Sequence, residues 1–133
     1  MAGSHPAMTI EEVSAMPIAT EIRFNKADRL LRVEFDDGTR FAFPAEYLRV
    51  ESPSAEVQGH SPSQKQIVPG KRQVGIIAIE PVGNYAVRLV FDDTHDTGIY
   101  SWAYLHELGR EQDQRWSAYL AALATRGLSR EPG

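Results

Sequence analysis

Hydrophobic and polar side chains alternate along two stretches of the chain, which is the pattern of half-buried β-strands. In residues 20–43 the apolar positions recur at every second residue, and Asp37–Gly38 has the residue types of a tight hairpin turn. In the second stretch, residues 76–79 form a continuous apolar run that predicts a buried strand, alternation returns over residues 85–91, and a last strand begins at residues 99–100. Turns are predicted at Gly83–Asn84 and at residues 92–98. Each stretch therefore predicts a three-stranded antiparallel meander with one apolar face.

Helical patterns follow each meander. Residues 44–49 suit a short helical turn that begins with a proline, and Ser101 is a suitable N-cap for a helix that continues through Leu108 and stops at Gly109. A longer amphipathic helix near the C-terminus ends at Gly127. Its apolar stripe consists of Trp116, Tyr119, Leu120 and Leu123. Together the patterns predict an α+β fold of two meanders, short helices and one C-terminal helix.

The chain is organised as one domain with a tail at each end. We expect a flexible tail over residues 1–19, with helix-capping spacing at residues 9–12, a single domain over residues 20–127, and a C-terminal tail over residues 128–133. Residues 50–72 are polar, contain several prolines and glycines, and show no regular period. Loops of that length in compact domains are usually functional or disordered.

The two meanders share local sequence. Residues 32–37 read Arg-Val-Glu-Phe-Asp-Asp and residues 88–93 read Arg-Leu-Val-Phe-Asp-Asp, and a Tyr-Leu pair follows each of them, at residues 47–48 and 104–105. An internal duplication explains this similarity, and so does convergence of hairpins on common turn residues.

Composition excludes several classes of protein. The 133 residues include no cysteine, so disulfides, thiolate nucleophiles and cysteine-based metal sites are excluded, and a reducing, cytoplasmic location fits. The net charge of −4 argues against a nucleic-acid partner. We find no apolar run that could span a membrane and no signal peptide, so no membrane association is expected.

Three residues are candidate metal ligands. Glu56 and His60 share a face if residues 56–60 form a helical turn, and His95 lies in the Asp-rich turn of the second meander. Carboxylates and neutral imidazoles bind zinc and other divalent metals, so these residues could form a metal site. They could equally serve as a general acid and base, or simply hydrogen-bond within polar turns.

Three segments of the chain, residues 43–60, 82–87 and 91–102, are similar to a known family. They resemble the gamma-butyrobetaine-hydroxylase-like N-terminal domain family, over about residues 20–108. In bacteria this domain occurs as a small stand-alone protein of unknown function. The domain also occurs in front of the catalytic domain of 2-oxoglutarate-dependent hydroxylases and at the end of some iron–sulfur carrier ATPases.

The resemblance also implies a position for a structural zinc. In the hydroxylases three cysteines after a Leu-Arg pair and one histidine hold this metal, and here the pair is Leu48–Arg49. The four ligand positions correspond to Ser52, Ser54, Val57 and His95. Because serine and valine do not replace thiolates, we expect that this zinc site is lost. Either a polar core or a different ligand set of Glu56, His60 and His95 replaced it.

These observations support three hypotheses about function. The leading one is a non-enzymatic accessory or protein-interaction domain with a protein partner, linked to iron–sulfur or metal handling by the family resemblance. The second is a divalent-metal-binding domain that uses His95, His60 and Glu56. The third is a small ligand-binding protein or enzyme that uses the same histidines. No catalytic motif is present, the hydroxylase catalytic domain is absent, and no cofactor is expected apart from a divalent metal.

Overall fold

The computed structural model describes residues 17–132 and contains two three-stranded antiparallel sheets, each followed by helix. The first sheet is β1–β2–β3 and leads into helix α1; a short helix α2 and a 3₁₀ turn follow. The second sheet is β4–β5–β6 and leads into helices α3 and α4. The bounds are β1 Ala19–Asn25, β2 Leu30–Phe35, β3 Arg40–Pro44, α1 Ala45–Val50, α2 Ala55–Gln58, the 3₁₀ turn Pro62–Gln64, β4 Ile76–Val82, β5 Ala86–Phe91, β6 Gly98–Ser101, α3 Trp102–Arg110 and α4 Gln112–Thr125. The predicted α+β fold of two meanders is confirmed.

The two meanders repeat one another in backbone detail. We call residues 19–50 the first unit and residues 76–110 the second unit. The first strand of each unit carries an irregularity at the same place, between Ala19 and Glu21 and between Ile76 and Ala78. The hairpin turns also match, because the Phe35 amide donates to the Thr39 carbonyl and the Phe91 amide donates to the His95 carbonyl, both at 2.9 Å. Shared turn residues alone do not require this match, so the structure supports an internal repeat.

A reciprocal pair of hydrogen bonds joins the two units. The hydroxyl of Tyr47 in α1 donates to the carbonyl of Leu108 in α3 at 2.8 Å, and the hydroxyl of Tyr104 in α3 donates to the carbonyl of Glu51 after α1 at 2.5 Å. Each tyrosine therefore binds the residue four positions after the other tyrosine. This is the geometry of an interface with two-fold symmetry, formed here within one chain.

One hydrophobic core lies between the units. The inner faces of both sheets and the helices α1 and α3 contribute to it, and the aromatic ring of Tyr100 is among its largest fully buried side chains. A smaller cluster joins Val50 to Tyr119 and Leu123 of α4. The remaining stripe residues, Trp116 and Leu120, are half-buried and exposed respectively.

Two sequence predictions about local structure were wrong. Gly109 does not stop α3, which continues to Arg110; instead Gly109 lies against Phe41, where any Cβ atom would overlap with the aromatic ring. The run that begins at Ile76 is not uniformly buried, because the irregularity in β4 leaves Ile77 65% exposed. Both differences arise from tertiary geometry that periodicity does not encode.

The predicted start of α3 at Ser101 and the predicted end of the C-terminal helix at Gly127 are both confirmed. The Ser101 hydroxyl accepts a hydrogen bond from the Tyr104 amide at 3.1 Å, which confirms the N-cap. Gly127 has a φ of 67°, and the Leu128 amide donates to the Leu123 carbonyl at 2.9 Å. These features form a Schellman motif, in which a residue with positive φ ends the helix.

The residues after α4 lie against the body of the protein. The amides of Gly70 and Arg72 donate to the carbonyls of Ser129 and Arg130, at 2.9 Å and 3.0 Å. The predicted capping box at residues 9–12 and most of the predicted N-terminal tail lie outside the described residues. The division into residues 1–19, 20–127 and 128–133 stays a prediction.

Candidate functional site

His95 is the central residue of the candidate site, and the second hairpin turn positions it. The Asp93 carboxylate accepts a hydrogen bond from the His95 amide at 3.1 Å, and Thr94 between them has a φ of 75°. At the equivalent position the first unit has Gly38, with a φ of 87°. A β-branched residue in this region of φ is strained, at a cost of about 1–2 kcal/mol. The turn is therefore held by its surroundings, and it directs the imidazole ring inward.

The structure brings together two of the three predicted ligands. The Nδ1 atom of His95 lies 3.2 Å from Oε1 of Glu56, which extends from α2. His60 is exposed, and its amide donates to the Gln64 side chain at 2.7 Å. Within residues 17–132 no group of three or more His, Cys, Asp or Glu side chains could hold a metal ion. Metal binding by His95, His60 and Glu56 stays a prediction.

Ser52 completes a hydrogen-bonded chain that the residue patterns alone did not indicate. Its Oγ atom lies 2.9 Å from Nε2 of His95 and also accepts from the Ser54 amide at 3.3 Å. With a proton on Nδ1 facing the Glu56 carboxylate, Nε2 can accept the Ser52 hydroxyl. The order Ser52, His95, Glu56 is that of a hydrolase triad, in which a histidine activates a serine and a carboxylate orients the histidine.

The geometry leaves the Ser52 hydroxyl no room to act on a substrate. Ser52 is 0% exposed, and a Cβ atom at Gly98 would lie only 2.6 Å from its Oγ atom. A nucleophilic serine needs space beside its oxygen for the reacting carbonyl and for donors to the developing oxyanion. Here that space is filled by the protein, so the chain of hydrogen bonds fixes the turn and α2 to one another.

Charge around His95 reinforces this structural role. Burial lowers the pKa of His95, the positive charge of Arg49 lowers it further, and the nearby carboxylate of Glu56 only partly opposes them. The imidazole is therefore held in its neutral form, in which Nε2 can accept the Ser52 hydroxyl. The Glu56 carboxylate remains 65% exposed and also accepts from the Thr97 hydroxyl at 3.1 Å.

A partly buried group of ion pairs lies beside the turn. The carboxylate of Asp93 is 2.8 Å from Nε of Arg49 and 2.7 Å from Nζ of Lys71. Partial burial raises the pKa of Asp93, but the hydrogen bonds from Lys71, the His95 amide and Arg49 outweigh it and lower that pKa to about 2. Lys71 therefore shares the Asp93 carboxylate with Arg49, and Lys65 pairs with buried Glu51 at 2.8 Å.

The zinc positions implied by the resemblance converge in space but do not fit zinc. Ser52, Ser54, Val57 and His95 are all buried, and Ser52 contacts both Ser54 and His95. Zinc prefers thiolate, imidazole and carboxylate ligands, whereas this set offers one imidazole, two hydroxyls and an apolar side chain. The sequence suggested two replacements for the zinc site, a polar core or a different ligand set. The observed arrangement matches the first, a polar core held by hydrogen bonds.

Comparison with known proteins identifies the family. The family model for gamma-butyrobetaine hydroxylase-like N-terminal domains matches residues 22–106. The chain belongs to this family. The resemblance inferred from the sequence is confirmed.

Solved structures of relatives share the fold. Two structures determined by NMR in solution are 46% and 49% identical, with TM-scores of 0.77 and 0.78; each comparison covers 90% of this chain, and 94% and 89% of the respective relative. A crystal structure from Acidithiobacillus ferrooxidans, of a protein of unknown function in the DUF971 family, is 40% identical with a TM-score of 0.58 and covers 71% of this chain and 92% of that one. No curated protein matches the chain. The family is thus one of unknown function.

Proposed function

We propose that this chain is a non-enzymatic accessory domain that binds another protein. The observation that carries the proposal is a difference between the two units at equivalent positions. Ile77, Tyr85 and Ile99 of the second unit are 65%, 57% and 46% exposed. Their equivalents in the first unit are polar or small: Thr20, Arg29 and Ala42.

This difference matters because the fold does not need apolar side chains at these positions. The first unit forms the same strands and turns with threonine, arginine and alanine there. Large apolar side chains in contact with water contribute little to folding, whereas a partner protein that covers them removes that apolar surface from water. The closed state of the Ser52–His95–Glu56 chain supports the same proposal, because it leaves no room for a substrate at the serine.

The cellular setting that we propose is iron–sulfur or metal handling. It rests on the resemblance, which implies that this domain also occurs at the end of iron–sulfur carrier ATPases. In residues 17–132 no helix is long and apolar enough to cross a membrane.

The experiment compares the wild-type chain with a surface-swap variant, Ile77→Thr, Tyr85→Arg and Ile99→Ala, which gives the second unit the residues of the first. Both tagged proteins are used to purify partners from a native lysate, and bound proteins are quantified by mass spectrometry. We expect one partner that the wild-type chain retains reproducibly and the variant loses, with an unchanged melting temperature. If no protein is retained reproducibly by the wild-type chain, the proposed function is wrong.

A further inference from the structure

The second unit carries an apolar groove of about 460 Å³ at the start of α3. Its lining residues are Pro17, Ile18, Asn84, Tyr85, Ser101, Trp102 and Ala103. The indole Nε1 atom of Trp102 donates to the Asn84 carbonyl at 2.9 Å, so the polar atom of this side chain is already satisfied. What the groove offers to a ligand is the hydrocarbon surface of two aromatic rings.

The first unit has a depression at the equivalent place, and a segment of the chain itself lies against it. Arg29, Ala45 and Glu46 line this depression at the start of α1, together with Arg130 from the segment that follows α4. The guanidinium of Arg130 contacts the Glu46 carboxylate through two hydrogen bonds of 2.7 Å and 2.9 Å. The same guanidinium lies 5.2 Å from the ring centre of Trp116.

The lining residues correspond one to one between the two units. Tyr85 stands where the first unit has Arg29, because the carbonyl of each accepts from the first amide of the following helix, at 3.0 Å and 2.9 Å respectively. Counting along those helices, Trp102 then corresponds to Ala45, and Ala103 to Glu46. The second groove has thus lost the carboxylate that binds arginine and gained two aromatic rings.

The depression of the first unit shows how a segment of chain binds at this place: one long side chain, that of Arg130, reaches the wall, and its charge complements that of Glu46. The second groove is complementary to a different ligand. Its described lining residues include no carboxylate, ammonium, guanidinium or imidazole group. A charged side chain would lose its hydration there without a partner, whereas an apolar side chain would bury hydrocarbon surface.

We propose that this groove binds a segment of a partner protein through a bulky apolar side chain of that segment. The inference rests on the proposed function and adds the surface and the chemistry of the partner. It predicts that a carboxylate at Ala103, the residue type of the first unit, would abolish binding of apolar segments.

The probe is a phage-displayed library of random twelve-residue peptides, selected on the full chain, followed by fluorescence polarisation with the enriched peptides. We expect enriched peptides to share an aromatic or large aliphatic residue. Ala103→Glu and Tyr85→Asp should weaken their binding at least tenfold. The control is Leu120→Asp, which adds the same charge at an exposed apolar residue of α4, outside the groove, and should leave binding within about twofold.

Three results would overturn the inference. Enriched peptides that bind all variants equally would place the interaction elsewhere on the chain and leave the proposed function intact. Failure to enrich any peptide would remove the groove as a segment-binding surface, while the lysate experiment would still decide the proposed function. A fall of several degrees in the melting temperature of Ala103→Glu, with no such fall in Leu120→Asp, would show that the chain fills the groove itself.

Discussion

The reciprocal tyrosine bonds give the sharpest prediction about how the two units are held together. Tyr47→Phe removes a hydroxyl that donates to the Leu108 carbonyl in a fully buried position. Removal of one partner leaves the carbonyl without that hydrogen bond, at a cost of about 1–3 kcal/mol. Tyr104 is less buried, so Tyr104→Phe should cost about 1 kcal/mol.

Both hydroxyls stay protonated under ordinary conditions. Burial raises the pKa of Tyr104 to about 12, with a further contribution from the nearby negative charge of Glu51, and burial raises the pKa of Tyr47 as well. The two bonds therefore contribute to stability across neutral pH, and the expected losses do not depend on the buffer chosen between pH 6 and about pH 9.

The assay is urea unfolding, in which a change of midpoint at constant slope reports a change in the free energy of unfolding. The matched control is Tyr85→Phe, the same chemical change at a ring that is 57% exposed, for which we expect less than about 0.5 kcal/mol. If Tyr47→Phe proves no more destabilising than Tyr85→Phe, the reciprocal contact does not hold the units together.

Two further predictions concern packing and pH. Gly109→Ala should destabilise the protein by about 1–3 kcal/mol, because its Cβ would overlap with Phe41; an unchanged urea midpoint would contradict this contact. The lowered pKa of Asp93 means that its ion pairs stabilise the fold above about pH 4, and that this contribution of about 1–2 kcal/mol is lost as the pH falls towards about 2. In thermal melts across that pH range, the melting temperature of Asp93→Asn should fall less steeply with pH than that of the wild type. The same slope in both proteins would refute the assignment of this stabilisation to the Asp93 ion pairs.

The strands and the repeat could be predicted from the sequence because both depend on local pattern. Alternation, the apolar run at residues 76–79 and the turn residues together located all six strands, and the Asp-Asp turns with their following Tyr-Leu pairs indicated the repeat. Ser101 was recognisable as an N-cap because that role depends on residues three positions apart. These signals lie within a few residues of one another, so one sequence is enough to detect them.

The site was less predictable because its contacts join distant residues. Ser52 meets His95 across 43 positions, and neither residue carries a local signal for the other. His60 was grouped with Glu56 on the assumption of a helical turn over residues 56–60, but α2 ends at Gln58 and Gly59 follows with a φ of 67°. Gly109 has the residue type of a helix stop, yet it is required by the approach of Phe41 from the other unit.

The most direct test of the account is a comparison of two variants in binding to the purified partner. The account predicts that the surface-swap variant binds at least tenfold more weakly than the wild-type chain, and that Ser52→Ala, still folded at 25 °C, binds within about twofold. The opposite result, with binding lost in Ser52→Ala and kept in the surface swap, would move the function to the Ser52–His95–Glu56 chain and contradict the account.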